Sequence, residues 1–168
     1  MRGAARVVAE SDGRLRKRKH ASSGGGNGEL VVVGGEDEDG SDLKSAEMYD
    51  TSARQWRALP DMSVARWGCA AVCIDGNVYV VGGFGGGSSL KSAEMYDTSA
   101  GQWRALPDMS VARGGCAAVS IEGNVYVVGG SDGATKHVSI ECYNPIANEW
   151  RTLPSMITGR AMCAAVAC

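Results

Sequence analysis

Residues 43 to 66 read LKSAEMYDTSARQWRALPDMSVAR, and residues 90 to 113 read LKSAEMYDTSAGQWRALPDMSVAR. The two stretches differ at one position, Arg54 against Gly101. A spacing of 47 residues also separates Tyr49, Tyr96 and Tyr143, and likewise Trp56, Trp103 and Trp150. Arg66, Arg113 and Arg160 keep that spacing, as do Cys69, Cys116 and Cys163. Each unit of such a repeat buries its apolar face only against its neighbours. A fixed period in this range therefore predicts a solenoid, a propeller or an array.

The content of each unit narrows the choice. ELVVVGG at 29–35 aligns with NVYVVGG at 77–83 and at 124–130. These are short Val- and Tyr-rich runs bounded by turns, which predicts well-buried strands. Asp75-Gly76 and Glu122-Gly123 join the second and third of them to a preceding run, CAAVCI (69–74) or CAAVSI (116–121). A pair of this kind between two β runs is a hairpin signal, because both central positions must tolerate positive φ. After each diglycine comes a variable loop, then AEMYD, AEMYD or IECYN, then a turn, then QWRAL, QWRAL or EWRTL. Pro60, Pro107 and Pro154 end the last of these strands, since proline cannot extend a central ladder. Each unit is thus four short antiparallel strands, the make-up of a propeller blade.

The diglycine, the variable loop, Glu-x-Tyr-Asp and a Trp some seven residues on resemble the kelch repeat. Gly34-Gly35, Glu47, Tyr49, Asp50 and Trp56 carry the resemblance in the first unit. Gly82-Gly83, Glu94, Tyr96, Asp97 and Trp103 carry it in the second, and Gly129-Gly130, Glu141, Tyr143 and Trp150 in the third, where Asn144 replaces the Asp. The spacing and the Pro-x-Met ending are most similar to the kelch repeats of kelch-like (BTB-kelch) adaptors. The expected fold is all-β: a partial kelch β-propeller of about three four-stranded antiparallel blades, as an open arc or a fragment. Residues 29–60 form an incomplete blade, 66–107 and 113–154 full blades, and 160–168 the first strand of a further or shared blade. Residues 1–28, with the basic run RLRKRKH (14–20) and a Ser/Gly-rich stretch (22–28), read as a disordered leader. A targeting or polyanion patch, or a poor first strand at 21–26 (ASSGGG), are the other readings of the same residues.

Propellers usually need 4–8 blades to close. Three repeats leave three explanations open: a piece of a larger propeller, a homodimer of two arcs that exchange terminal strands, or an open arc with exposed strand edges. No BTB or F-box segment is read in residues 1–28.

Alternation of antiparallel strands sorts the loops by face. Arg66, Arg113, Arg160, the loops after the diglycines and the Pro-x-Met segments share one rim. The hairpin turns at 75–76 and 122–123 lie on the other. In kelch-like proteins the first of these faces binds the partner. The resemblance implies that Arg66, Arg113 and Arg160 lie at the channel mouth and grip acidic peptides. Locally, each could instead pair with Asp61, Asp108 or a loop carbonyl. Two departures from the repeat add to this rim: Trp67 stands where the other copies have Gly114 and Ala161, and Phe84 where they have Glu36 and Ser131. Two aromatics beside an arginine suit a binding hot spot. The repeated Trp and Tyr are expected to pack between blades, and the three aligned cysteines to be small core residues rather than metal ligands.

The function expected is a protein-interaction module that holds a protein or peptide partner through one rim, as in the substrate-recognition part of a ubiquitin-ligase adaptor. Catalysis is not expected, and no cofactor or metal is implied. The alternative is a carbohydrate-active kelch enzyme, similar to a sialic-acid epimerase or a copper radical oxidase. The second of these needs histidine ligands, and the chain has two histidines, one of them His20 in the leader. Charge also divides the chain: +5 over residues 1–20 and −7 over the rest, −2 in all. A mildly acidic body does not suggest nucleic-acid binding by the propeller. No apolar run approaches 18 residues and no secretory core is read near the start, so a cytoplasmic or nuclear protein is expected.

Overall fold

The computed structural model describes residues 28–168, and the readings made for residues 1–27 lie outside them. The described residues form thirteen strands and no helix. In chain order these are β1 (Glu29–Val33), β2 (Ala46–Asp50), β3 (Gln55–Leu59), β4 (Ala70–Ile74), β5 (Asn77–Val81), β6 (Phe84–Gly85), β7 (Ser88–Ser89), β8 (Ala93–Asp97), β9 (Gln102–Leu106), β10 (Ala117–Ile121), β11 (Asn124–Val128), β12 (Ile140–Asn144) and β13 (Glu149–Leu153). They make a three-stranded sheet β1-β2-β3 and two four-stranded sheets, β4-β5-β8-β9 and β10-β11-β12-β13. Every pairing within them is antiparallel. The described residues are all-β, successive blades of a partial propeller.

The hairpins follow from the turn chemistry. Asp75 and Gly76 have φ of 50° and 82°, and Glu122 and Gly123 have 50° and 74°. Ile74 therefore pairs with Asn77, and Ile121 with Asn124. The loop after the second diglycine departs from expectation. It folds into a small ribbon, β6 with β7, in which Phe84 faces Ser89 and Gly85 faces Ser88. Gly86 and Gly87, at φ of 57° and 80°, turn its tip.

The core lies between blades rather than inside any of them. One apolar layer joins Val33, Met48, Leu59 and Met62 of the first blade and its exit to Val78, Val80 and Tyr96 of the second. A second layer joins Val72, Tyr79 and Val81 of the second blade to Cys116, Ala118, Val125, Val127 and Tyr143 of the third, with Met109 between them. Alternate residues of β5 thus face opposite neighbours. A strand buried on both faces needs an unbroken apolar run, which explains NVYVV. β1 has the same kind of sequence but only one described neighbour on its ladder, β2. Four of five residues of β5 are buried, against one of five in β1.

The repeated aromatics act both within and between blades. Tyr49 lies across from Trp56, Tyr96 from Trp103, and Tyr143 from Trp150, with ring centroids 5.1, 5.2 and 5.1 Å apart. The indole N–H of Trp103 donates to the Pro60 carbonyl at 2.7 Å, and that of Trp150 to the Pro107 carbonyl at 2.8 Å. Each outer strand is thereby tied to the end of the preceding blade. Trp56 has no described blade before it and is 51% exposed.

Candidate functional site

Arg66 and Arg113 each enter a blade immediately after leaving the one before. The backbone of Arg66 belongs to the first blade: its N–H donates to the Leu43 carbonyl at 2.9 Å, and its carbonyl accepts from Gly35 N–H at 2.7 Å. A Cβ on Gly34 would collide with the same carbonyl. The diglycine is therefore the seat of the next arginine's backbone, and Gly82-Gly83 serve Arg113 in the same way.

The side chain of Arg66 belongs to the second blade. Its guanidinium donates to the carbonyls of Gly82 (3.1 Å) and Ser92 (2.9 Å), to Ser92 Oγ (3.0 Å) and to Glu94 Oε1 (2.9 Å). The other oxygen of Glu94 accepts from Ser63 N–H at 2.8 Å. Arg113 repeats this in the third blade with Gly129, Ser139 and Glu141, and adds a bond from Nε to Glu141 at 3.1 Å. Glu141 also accepts from Ser110 N–H at 2.8 Å. Nε of Arg66 has no partner. Burial alone would push the Glu94 carboxyl up. The donors from Ser63 and Arg66 and the nearby positive charge more than offset this, and its pKa lies below the ordinary glutamate value.

Arg66 and Arg113 are both fully buried. Acceptors of the blade they enter take all five donors of Arg113 and four of the five of Arg66, so these planar groups staple neighbouring blades. This corrects the placement implied by the resemblance: neither presents a free guanidinium at the rim. Of the local alternative, the carbonyl part holds, through Gly82 and Ser92 for Arg66 and Gly129 and Ser139 for Arg113, whereas Asp61 and Asp108 pair with Lys44 (3.4 Å) and Lys91 (3.2 Å) instead. Arg160 keeps the backbone half of the arrangement. Its N–H donates to the His137 carbonyl and its carbonyl accepts from Gly130 N–H at 2.7 Å. Its residue is exposed and has no described ion-pair partner.

Trp67 and Phe84 do come together. Their rings stack with centroids 4.4 Å apart and planes at 24°, and their backbones exchange hydrogen bonds of 2.9 and 2.7 Å. The Phe84 ring occupies the space that a Cβ on Gly114 would need. The aromatic pair thus fills the gap between the second and third blades at the arginine-bearing face, and both rings remain partly exposed. Glu94, Glu141, Ser92 and Ser139 are site residues that the sequence reading did not assign. The available signal was a glutamate 28 residues after both Arg66 and Arg113.

Cys69, Cys116 and Cys163 line a small inner cleft with Ala70, Ala117 and Ala164. Burial pushes the Cys116 thiol up to about 12, so it stays protonated near neutrality. His137 meets the Ala112 carbonyl at 3.0 Å and lies 3.9 Å from Asp132. No group of three or more metal-ligating side chains occurs among the described residues.

Comparison with known proteins settles the family. The family model for the KLHDC2/KLHL20/DRC7 Kelch-repeats domain matches residues 5–167. The chain belongs to the kelch-repeat family. An F-box/kelch-repeat protein of Arabidopsis thaliana is 44% identical over 57 residues, covering 34% of this kelch chain and 15% of that protein. Kelch-like protein 30 of Mus musculus is 45% identical over 64 residues, covering 32% and 11%. Galactose oxidase of Gibberella zeae is 42% identical over 59 residues, covering 34% and 8%. The matched stretch is thus a small part of each relative. Among solved structures, YjhT superposes with a TM-score of 0.68 at 15% identity, covering 80% of this chain and 51% of that one. No helix of the described residues is long and apolar enough to cross a membrane.

Proposed function

We propose that this kelch arc is a protein-interaction module whose contact surface is the arginine-bearing rim, centred on Trp67 and Phe84. The observation that carries this reading is the stacked, partly exposed aromatic pair at positions where the repeat otherwise has small or polar residues. A rigid aromatic platform offers large contact area at low entropic cost. Arg66 and Arg113 contribute from beneath by fixing the loops, and Arg160, the exposed member, supplies any preference for an acidic peptide. By analogy with the F-box and kelch-like relatives, the module presents a substrate to a ubiquitin ligase in the cytoplasm or nucleus and is not itself catalytic.

The test is capture of partners by wild type and by Trp67→Ala with Phe84→Ala, at matched folded fraction. Loss of specific partners supports the rim. Retention of every partner contradicts it.

The match to galactose oxidase favours a second reading, a carbohydrate-active enzyme. Turnover of galactose, sialosides or sugar alcohols by the purified chain would establish it. The single described histidine, held by a backbone carbonyl, supports the first reading over this one.

A further inference from the structure

On the rim opposite the arginines, the hairpin turns of the second and third blades stand side by side. A cleft of about 230 Å³ opens between them. Asp75 and Tyr79 of the second blade line it, with Glu122, Pro145 and Ile146 of the third.

The sequence explains why a cleft opens at this hairpin. The turn between the last two strands of a blade reads DTSAG at 97–101 in the second blade and NPIAN at 144–148 in the third. In the second blade Thr98 folds over the hairpin. Its N–H and hydroxyl donate to Asn77 Oδ1 at 3.2 and 3.5 Å, and its oxygen lies 3.8 Å from where a Cβ on Gly76 would stand. Pro145 takes the place of Thr98 and has no N–H to donate. No atom lies within 4 Å of where a Cβ on Gly123 would stand, and the Asn124 amide turns to the Glu122 carbonyl at 3.0 Å instead. Ile146 replaces Ser99 and is 98% exposed.

Acceptors without donors collect here. Asp75 and Glu122 are exposed, and neither has an ion-pair partner among the described residues. No lysine or arginine lines the cleft among those residues. Tyr79 is only 5% exposed, yet its hydroxyl has no hydrogen-bond partner among the described residues, whereas that of Tyr143 donates to Asn148 at 2.7 Å. Burial, and then the Asp75 charge, push the Tyr79 hydroxyl above the ordinary tyrosine range, so it stays neutral at neutral pH. A buried hydroxyl without a partner is costly until something that enters the cleft bonds to it.

We propose that this cleft holds an arginine side chain of a partner peptide, with an apolar neighbour of that arginine packed on Pro145 and Ile146. A guanidinium has fixed positive charge and five donors in one plane, which suits acceptors on two hairpins and a buried hydroxyl better than the point charge of lysine. Its methylene stem matches the apolar wall that Ile74 adds. Ile146 supplies the apolar contact that an exposed carboxylate pair lacks. The site lies on the other rim from Trp67 and Phe84 and is independent of what they bind.

The experiment titrates the isotope-labelled 168-residue chain with acetyl-Leu-Arg-Leu-amide and follows backbone amide shifts. Shifts are expected at Asp75, Glu122, Asn124 and Ile146, and not at Trp67 or Phe84. Citrulline in place of the peptide's arginine keeps the shape and removes the charge. It should weaken binding about tenfold, and Asp75→Asn with Glu122→Gln should do the same, as for two solvent-screened ion pairs. Ile146→Ser, which restores the residue of the other repeats, should weaken it roughly threefold. The citrulline arm uses the wild-type chain, so it stands whatever the variants do to folding. No shift at a few millimolar peptide, shifts centred on Trp67 and Phe84, or equal affinity for the citrulline peptide would each overturn the assignment. A lysine peptide that binds as tightly overturns the choice of arginine. Shifts at these amides with galactose and none with the peptide would give the cleft to a sugar and overturn it too.

Discussion

Arg113 and Arg160 stand at the same place in consecutive repeats, with the same backbone hydrogen bonds to the diglycine and loop behind them. One is fully buried on a carboxylate, a serine and two carbonyls, and the other is exposed. The difference lies ahead of them. Arg113 has the third blade to enter, whereas no described blade follows Arg160. A residue that looks like a binding cation when a repeat is read alone is a fastener when two repeats are read together. The same logic separates Trp103, tied to Pro60, from the half-exposed Trp56.

The largest effect expected from this contrast is on stability. Arg113→Ala should cost about 3–5 kcal/mol, because it leaves Glu141 buried without its counter-charge. Arg160→Ala should stay within about 0.5 kcal/mol, as surface changes do. Urea denaturation of both variants makes the comparison; equal losses would break it. Trp103→Ala should follow at about 3 kcal/mol. Trp56→Ala should cost less than half of that, since its ring is half exposed and has no carbonyl partner among the described residues.

A pH titration sharpens the staple's chemistry. The folded pKa of Glu94 lies below its ordinary 4.5. Its contribution is therefore complete above that value and is lost as pH falls through the lower, folded value. Glu94→Gln should be less stable than wild type at neutral pH. The gap between the two should close on acidification below the ordinary glutamate value of 4.5. A constant gap down to the acid limit would contradict a charged staple.

The smallest expected effect concerns the one difference between the duplicated stretches. Arg54 and Gly101 both have positive φ, 53° and 67°. A left-handed conformation costs a non-glycine residue roughly 1–2 kcal/mol, and glycine returns part of that gain as lost backbone entropy. Arg54→Gly should therefore raise stability by about 0.5–1 kcal/mol, read as a small rise in the denaturation midpoint.

The blades were legible in the sequence because their signals are local. The diglycines, the hairpin pairs and the prolines each act within a few residues, and the 47-residue period repeats them. β5 declares double burial by its unbroken apolar run. The rim was only half legible. Trp67 and Phe84 stood out because they break the repeat, and the structure stacks them. The arginines misled because their fate depends on a glutamate 28 residues ahead. That pairing is set by blade topology, which brings third-strand carboxylates beneath the incoming segment. The β6–β7 ribbon was missed because a glycine-rich loop carries no strand period.

The account's central claim is that the repeated arginine joins blades through its buried carboxylate. A double-mutant cycle on Arg113 and Glu141, read by equilibrium denaturation, tests it most directly. Each single change to Ala should cost several kcal/mol, and the double change should cost much less than their sum, a coupling of about 2–3 kcal/mol. Additive losses, with no coupling between the two positions, would contradict it.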